Sequence, residues 1–261
     1  MQQTVFLSVF YLKTGIKQIR KNMKNLRYLT LISLCLAIAG SVNCQIRKTV
    51  YGDHNVIKKE RTAGVFTGIT TSSAIDVILS QGDKNTITVE ADKNLHEYIV
   101  TEIKNGTLNV YADANIRDAE MRRVHVTMKD IDYVSSTSAG DVIGITPVKA
   151  GSLKLSASSA GDIKLEVYTQ TLDVNGSSAG DITLSGETGF LDANLSSAGD
   201  LNAYNLKAAK ADVSVSSSGD ADIYVTDELR ARASSAGSIN YKGDPENVNS
   251  HSSSAGGVHK R

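Results

Sequence analysis

The sequence predicts an all-β fold, a parallel β-helix (β-solenoid) with coils of about 19 residues. Three observations predict it. The phrase Ser-Ala-Gly-Asp recurs with its glycine at Gly140, Gly161, Gly180, Gly199, Gly219, Gly237 and Gly256, at intervals of 21, 19, 19, 20, 18 and 19 residues. Between these points apolar and polar residues alternate, which is the period of a half-buried strand and not of a helix. The composition agrees: aromatics are 5%, tryptophan is absent, and there are 21 glycines against 2 prolines. Such a chain builds its core from small and β-branched side chains.

The N-terminus reads differently. Lys13, Lys17, Arg20, Lys21, Lys24 and Arg27 precede an apolar run from Tyr28 to Val42, and no acidic residue occurs before Asp53. A basic segment, a short apolar run and then small residues form the pattern of a secretory signal over residues 1–44. Residues 1–22 are expected to lie upstream of the functional start, since a signal of ordinary length begins at Met23. The apolar run is shorter than the roughly 20 residues a membrane helix needs. The formal net charge of zero hides this asymmetry, because removal of residues 1–44 leaves 22 basic against 28 acidic residues. An acidic body of this kind excludes nucleic acid as a partner. Both cysteines, Cys35 and Cys44, fall within the signal, so the body holds no disulfide. Cys44 is a second-choice lipid anchor, because Asn43 stands where a small residue is expected.

Residues 45–63 read as a linker, and 64–134 as an N-terminal β-region capping the solenoid. Ser72-Ser73-Ala74-Ile75-Asp76 is a degenerate corner with Ile75 in the glycine position. Asn105-Gly106, between two alternating runs, reads as a hairpin turn. Residues 96–100 fit a helical turn or a strand equally, and 115–124 read as a loop or short helix.

Residues 135–261 carry the regular repeat. Leu153/Leu155, Leu172/Val174, Leu191/Ala193/Leu195 and Val213/Val215 lead into the corners; Ile163/Leu165/Val167, Ile182/Leu184, Leu201/Ala203 and Ala221/Ile223/Val225 lead out of them. Only Gly144 breaks the series, standing where an apolar side chain belongs. One unit is too small to bury its apolar face, whereas stacked units bury a continuous column. The glycine is expected to supply a positive φ or a close backbone approach, the alanine to be small enough for the bend, and the serines to form a hydroxyl ladder. The last repeats degrade: the Asp position becomes Ser238 and then Gly257, and the alternation weakens across 247–251.

With Phe66-Thr67-Gly68-Ile69, Val77-Ile78-Leu79-Ser80-Gln81-Gly82, Lys104-Asn105-Gly106-Thr107-Leu108 and the serial corners in hand, residues 64–257 resemble the auto-transporter adhesin head domains of Bacteroides-like bacteria. The resemblance implies a right-handed β-helix similar in shape to the pectin lyases, an exported or surface location, and a role in adhesion.

The sharpest polar feature is a file of carboxylates, Asp141, Asp162, Asp181, Asp200 and Asp220, one per coil. Carboxylates stacked about 4.8 Å apart repel unless they are solvated, hydrogen-bonded or bridged by a cation. One reading is a ladder for calcium or for carbohydrate hydroxyls; the favoured reading is that each Asp accepts backbone N–H bonds at its turn. No cofactor is expected. The five histidines, His54, His96, His125, His251 and His259, show no metal-ligand spacing and read as loop or solvent-facing residues. No nucleophile elbow or phosphate loop occurs, so the chain is not expected to be an enzyme. Tyr168, Tyr204 and Tyr224 fall out of phase with the core and read as exposed; Tyr241 reads as inward-facing. Together these features predict a binding module for glycans or a surface protein. The alternatives are a polysaccharide-active enzyme and a purely structural envelope component.

Overall fold

The computed structural model describes residues 47–261, and the structural statements that follow concern these residues. The expected signal over residues 1–44, with Cys35 and Cys44, lies outside them. Strands β1 (Thr49–Tyr51), β2 (Val56–Arg61), β3 (Gly68–Thr71), β4 (Asp76–Gln81) and β5 (Thr86–Asp92) come first, then a single 3-10 turn at Lys93–Leu95. They are followed by β6 (Ile99–Lys104), β7 (Thr107–Ala112), β8 (Asn115–Arg117) and β9 (Arg122–Met128). The repeat half holds β10 (Tyr133–Thr137), β11 (Val142–Gly144), β12 (Val148–Ser158), β13 (Ile163–Ser177), β14 (Asp181–Ser196) and β15 (Asp200–Val215). It closes with β16 (Ala233 is its last residue, Asp220 its first), β17 (Ser238–Lys242), β18 (Asn247–Ser252) and β19 (Gly257–Lys260).

The repeat half is a β-solenoid. Val142, Ile163, Ile182, Leu201 and Ala221 form one inner file, each the register partner of the next. The file extends to Val77 and Val124 at one end and to Ile239 and Val258 at the other. A second file runs Leu108, Ile69, Val134, Leu155, Val174, Ala193, Val213 and Ala231. Both are aliphatic throughout, and every member from Val77 to Ile239 is buried. Each coil thus covers the apolar face that its neighbour cannot cover alone. Where two successive residues point outward, as at Gly189-Phe190 and Ala209-Lys210, the chain bends from one side of the coil to the next. The buried Thr188 in such a bend accepts from Thr169 Oγ1 at 2.9 Å and donates to the Phe190 carbonyl at 3.2 Å. Gly144 leaves an inner gap that Leu165 fills: a Cβ there would lie 2.7 Å from Leu165 Cδ2.

The corners are built otherwise than the residue types suggest. The left-handed residues are the Ser and Ala, not the Gly: Ser159 and Ala160 have φ of 52° and 59°, and Ser178 and Ala179 have 52° and 58°. Two consecutive positive φ values make a type I′ turn, closed by Gly161 N–H to Ser158 O and by Gly180 N–H to Ser177 O, both at 3.1 Å. Glycine follows the turn because nothing larger fits. A Cβ at Gly180 would stand 2.6 Å from the Ala157 carbonyl carbon, and at Gly199 2.5 Å from that of Gly176. Non-glycine residues in the left-handed region cost roughly 1–2 kcal/mol each. An inter-coil ladder offsets part of this: the N–H of Ala160, Ala179 and Ala198 donates to the carbonyl of Ser178, Ser197 and Ser217 at 3.1–3.2 Å.

Ser73 and Ala74 have φ of 61° and 54°, and Ala74 N–H donates to Ser138 O at 3.0 Å. β3 and β4 with this corner therefore form a full coil, with Ile75 buried in the glycine place. Beyond it, β7 and β9 add one more parallel layer. Antiparallel strands then close that end: β6 on β7 through Asn105-Gly106, β5 on β9, and β2 on β5. Two expectations are corrected here. The described part of the expected linker over 45–63, from residue 47 on, is not bare, because β2 pairs along its whole length with β5, and β1 pairs with β8. Residues 115–124 hold strand β8 and the start of β9, not a helix. Buried Asp92 ties these parts together, accepting N–H bonds from His54, Glu120 and Met121 at 3.0–3.2 Å. At the other end β18 pairs in register with β16, and Ser250 and Ser252 stand opposite Ala231 and Ala233, so the exposed final coil is polar where the interior is apolar.

Candidate functional site: the polar files of the solenoid

The parallel register turns each outward position into a file that repeats once per coil. Asp141, Asp162, Asp181, Asp200 and Asp220 form one such file, extended by Asp76 and ending at Ser238. Asp162 N–H donates to Asp141 Oδ1 at 3.3 Å, Asp181 N–H to Asp162 Oδ1 at 3.3 Å, and Asp220 N–H to Asp200 Oδ1 at 3.0 Å. Carboxylates accept backbone N–H bonds here, but from the neighbouring coil and not from their own turn. Burial, and then the neighbouring carboxylates, hold Asp141, Asp181 and Asp220 above the usual carboxylate range. A concavity of about 390 Å³ lies beside the file, lined by Asp181, Asp200, Asp220 and Asp222 with Thr183 and Asn202. Among the described residues no three His, Cys, Asp or Glu side chains converge as a metal-binding group. Gly140, Gly161, Gly180, Gly199, Gly219 and Gly237 are buried beneath the corners, and Gly256 is half-buried in the terminal coil. The corner serines Ser138, Ser159, Ser178 and Ser197 are exposed, and the hydroxyl bond found here joins Ser158 Oγ to Thr137 Oγ1 at 3.1 Å, one residue before the turn.

A second polar file emerges only from the strand register. Lys154, Asp173, Asp192, Asp212 and Arg230 are successive register partners, and two residues on so are Ser156, Asn175, Asn194, Ser214 and Arg232. Asn175 Nδ2 donates to Asp173 Oδ1 at 2.6 Å, and Asn194 Nδ2 to Asp192 Oδ1 at 3.0 Å. Lys154 Nζ lies 3.3 Å from Asp173 Oδ2, and Arg232 donates to Asp212 Oδ1 at 2.7 Å. Beside these files runs a groove of about 420 Å³, flanked by Ser177, Ser196, Ser216 and Ser234. The signal was present: an Asp-apolar-Asn triplet stands at the same offset before two successive corners.

A further concavity, about 810 Å³, lies on another side, where Lys149, Tyr168, Gln170, Glu187, Thr188 and Lys207 line it. Tyr168 is exposed, as expected, and donates to Glu166 Oε1 at 2.9 Å. Tyr204 and Tyr224 are half-buried instead, and the Lys242 ammonium sits 4.1 Å from the centre of the Tyr204 ring. Tyr241 packs on the core, as its phase predicts. Phe190 is exposed on the bend, an aromatic that the broken alternation concealed.

Two histidines depart from the expectation of loop or solvent-facing positions. His96 is buried, with Nε2 3.2 Å from both the Ile57 and Ala91 carbonyl oxygens and Nδ1 enclosed without a partner. His125 Nε2 lies 2.6 Å from Glu90 Oε2, and this contact, against the opposing effect of burial and with Lys58 assisting, holds Glu90 below the ordinary range.

Fold and files define the class: a β-solenoid with small-residue corners and repeating polar faces. Within it the chain belongs to the family described as "putative auto-transporter adhesin, head GIN domain", whose model matches residues 65–245. Solved structures share the fold. A "putative adhesin" from Bacteroides fragilis superposes with a TM-score of 0.72 at 19% identity, covering 81% of this chain and 100% of that one. A "putative adhesin" from Parabacteroides merdae gives 0.67 at 21%, covering 82% and 99%. A "putative lipid binding protein" from Parabacteroides distasonis gives 0.66 at 25%, covering 82% and 100%. No curated protein matches the chain. Among the described residues no helix is long and apolar enough to cross a membrane, which leaves strand-built spans unaddressed.

Proposed function

We propose that this protein is a non-enzymatic binding module, exported to the cell envelope or beyond, which holds glycans against the faces of a rigid rod. One observation carries the reading: open concavities of about 810, 420 and 390 Å³ lie along a frame of paired strands, each lined by register positions of successive coils. Surfaces of this kind suit an extended partner. Membership of an adhesin head family supports the same reading. Carboxamide and hydroxyl groups dominate the lining of the second groove, and these are groups that hydrogen-bond sugar hydroxyls.

Catalysis is the weaker reading. Glycoside hydrolysis requires two carboxyls in distinct environments, one acid and one base or nucleophile. The concavity beside the Asp file is lined by carboxylates with no Lys, Arg or His among them to set an acid apart from a base. A glycan array run beside a polysaccharide-degradation screen tests the proposal. It predicts array binding without degradation; degradation, or binding to protein partners alone, contradicts it.

A further inference from the structure

The groove beside the Asp–Asn file carries more detail than a general affinity for sugars. Its stations repeat in register at Ser156, Asn175, Asn194, Ser214 and Arg232, one coil apart. Neighbouring parallel strands lie about 4.8 Å apart, close to the advance of one sugar in an extended chain. Two consecutive stations are organised before any ligand arrives, because the Asn175–Asp173 and Asn194–Asp192 hydrogen bonds fix both side chains. Each bond uses one amide hydrogen. Among the described residues the Asn carbonyl oxygens have no partner, so each station keeps an acceptor and a donor for a ligand. The serine hydroxyls of Ser177, Ser196, Ser216 and Ser234 repeat along the other bank.

Charge narrows the ligand class. Of the three carboxylates in the file, Asp173 is paired with Lys154 and Asp212 with Arg232, at opposite ends. Only the central Asp192 lacks a cationic partner among the described residues, its contact being the Asn194 amide. Arg232, the one charged residue that lines the groove, is neutralised by its pairing with Asp212, so the groove offers no net attraction to a polyanion or a polycation. Neither does it hold an aromatic platform for an isolated ring, since Ser, Asn, Gly, Leu, Val and Arg line it.

Resting on the reading of the rod as a glycan-binding module, we infer that this groove takes a neutral linear glycan laid along the rod axis, one sugar to each coil. A single sugar meets one station. Each further sugar meets the next station of the file, a hydrogen-bonding side chain already held one coil away, so its binding is intramolecular and adds affinity without a new encounter. Affinity then rises with length until the five stations are filled.

The test titrates the described chain with β-1,4-linked gluco- and manno-oligosaccharides of one to eight units by calorimetry, with oligogalacturonates as the charged counterpart. Expected are no binding of the monosaccharide, a gain of about tenfold or more from trimer to pentamer, and a plateau beyond the pentamer. The double variant Asn175→Ala, Asn194→Ala loses about tenfold or more for the pentamer, while Asp83→Asn, in the exposed turn between β4 and β5, leaves it unchanged; melting curves confirm that both variants are folded. Equal affinity at every length, preference for oligogalacturonates, or an unaffected double variant overturns the inference. If the array shows hits but only with charged or branched glycans, this inference fails alone; if it shows none, the reading beneath it fails as well.

Discussion

At the scale of single residues, the corners invert the usual division of labour between glycine and its neighbours. Ala179 occupies the left-handed region with φ of 58°, while Gly180 is needed for the space its missing side chain leaves. Gly180→Ala drives a Cβ to 2.6 Å from backbone atoms of Ala157 and Ser158, and is expected to cost about 2–3 kcal/mol. Ala179→Gly relieves the left-handed alanine and is expected to gain up to about 1 kcal/mol. Urea melts of both variants check the pair; the opposite ordering contradicts the assignment. Asp181 supplies a second test. Its carboxylate accepts no hydrogen bond among the described residues, while burial and the flanking Asp162 and Asp200 raise its pKa. A carboxyl that titrates higher when folded favours the fold below the ordinary value near 3.8 and opposes it once pH rises through the raised value. Asp181→Asn is therefore expected to raise stability at neutral pH by about 0.5 kcal/mol, discounted for the group's exposure, with the gain vanishing in acid. Thermal melts across pH read this directly.

At the scale of elements, the strands from β12 to β17 are legible because, on either side of each bend, their alternation keeps one phase and serves one purpose. Leu153/Leu155 or Ile163/Leu165 can face nothing but the shaft. Corner positions were equally legible, but their conformation was not, since Ser-Ala-Gly says where a bend falls without saying which residue bears the positive φ. The cap was less readable for a physical reason. β1 and β8 are three residues each, and β2 reads Val-Ile-Lys-Lys-Glu-Arg, where an edge strand's charges mask any period. Its anchors, Asp92 and His96, act through backbone groups distant in sequence. The second polar file was visible residue by residue, yet became a site only once the register placed Asp173 beside Asp192. The cap carries its own prediction. Burial, together with nearby Lys59 and Arg61 and against the two carbonyl contacts, lowers the pKa of His96. Burial alone would raise that of Asp92, but the N–H groups of Met121, Glu120 and His54 outweigh it and lower it. For His96 the unfolded chain takes the proton first, so stability is lost as pH falls below about 6.5. Asp92 adds a further loss only in stronger acid, as pH falls through its lowered value. Hydrogen exchange over 49–61 and 86–92, taken relative to the intrinsic rate at each pH, is expected to accelerate as pH falls from 7.5 to 5.5 while the coils from 142 onward stay protected. In His96→Gln the acceleration should disappear; if it persists, the histidine is not its cause.

At the scale of the whole molecule, the described chain is a stack whose order comes from repetition. Every inner coil buries the same two aliphatic files and repeats the same corner, so outward side chains are held at a fixed pitch. That regularity distinguishes its polar faces from an ordinary protein surface, where groups of the same kinds occur without common spacing. The polar Ser250 and Ser252 in the last coil and the antiparallel strands at the other end limit extension of the stack by further coils. The most direct test of this account is hydrogen exchange with and without a saturating neutral linear glycan, the pentamer or longer. The account predicts slowed exchange along one stripe, over 173–177, 192–196 and 212–216. Slowing confined to the Asp141–Asp220 file or to the cap, or no change along the rod, would contradict it.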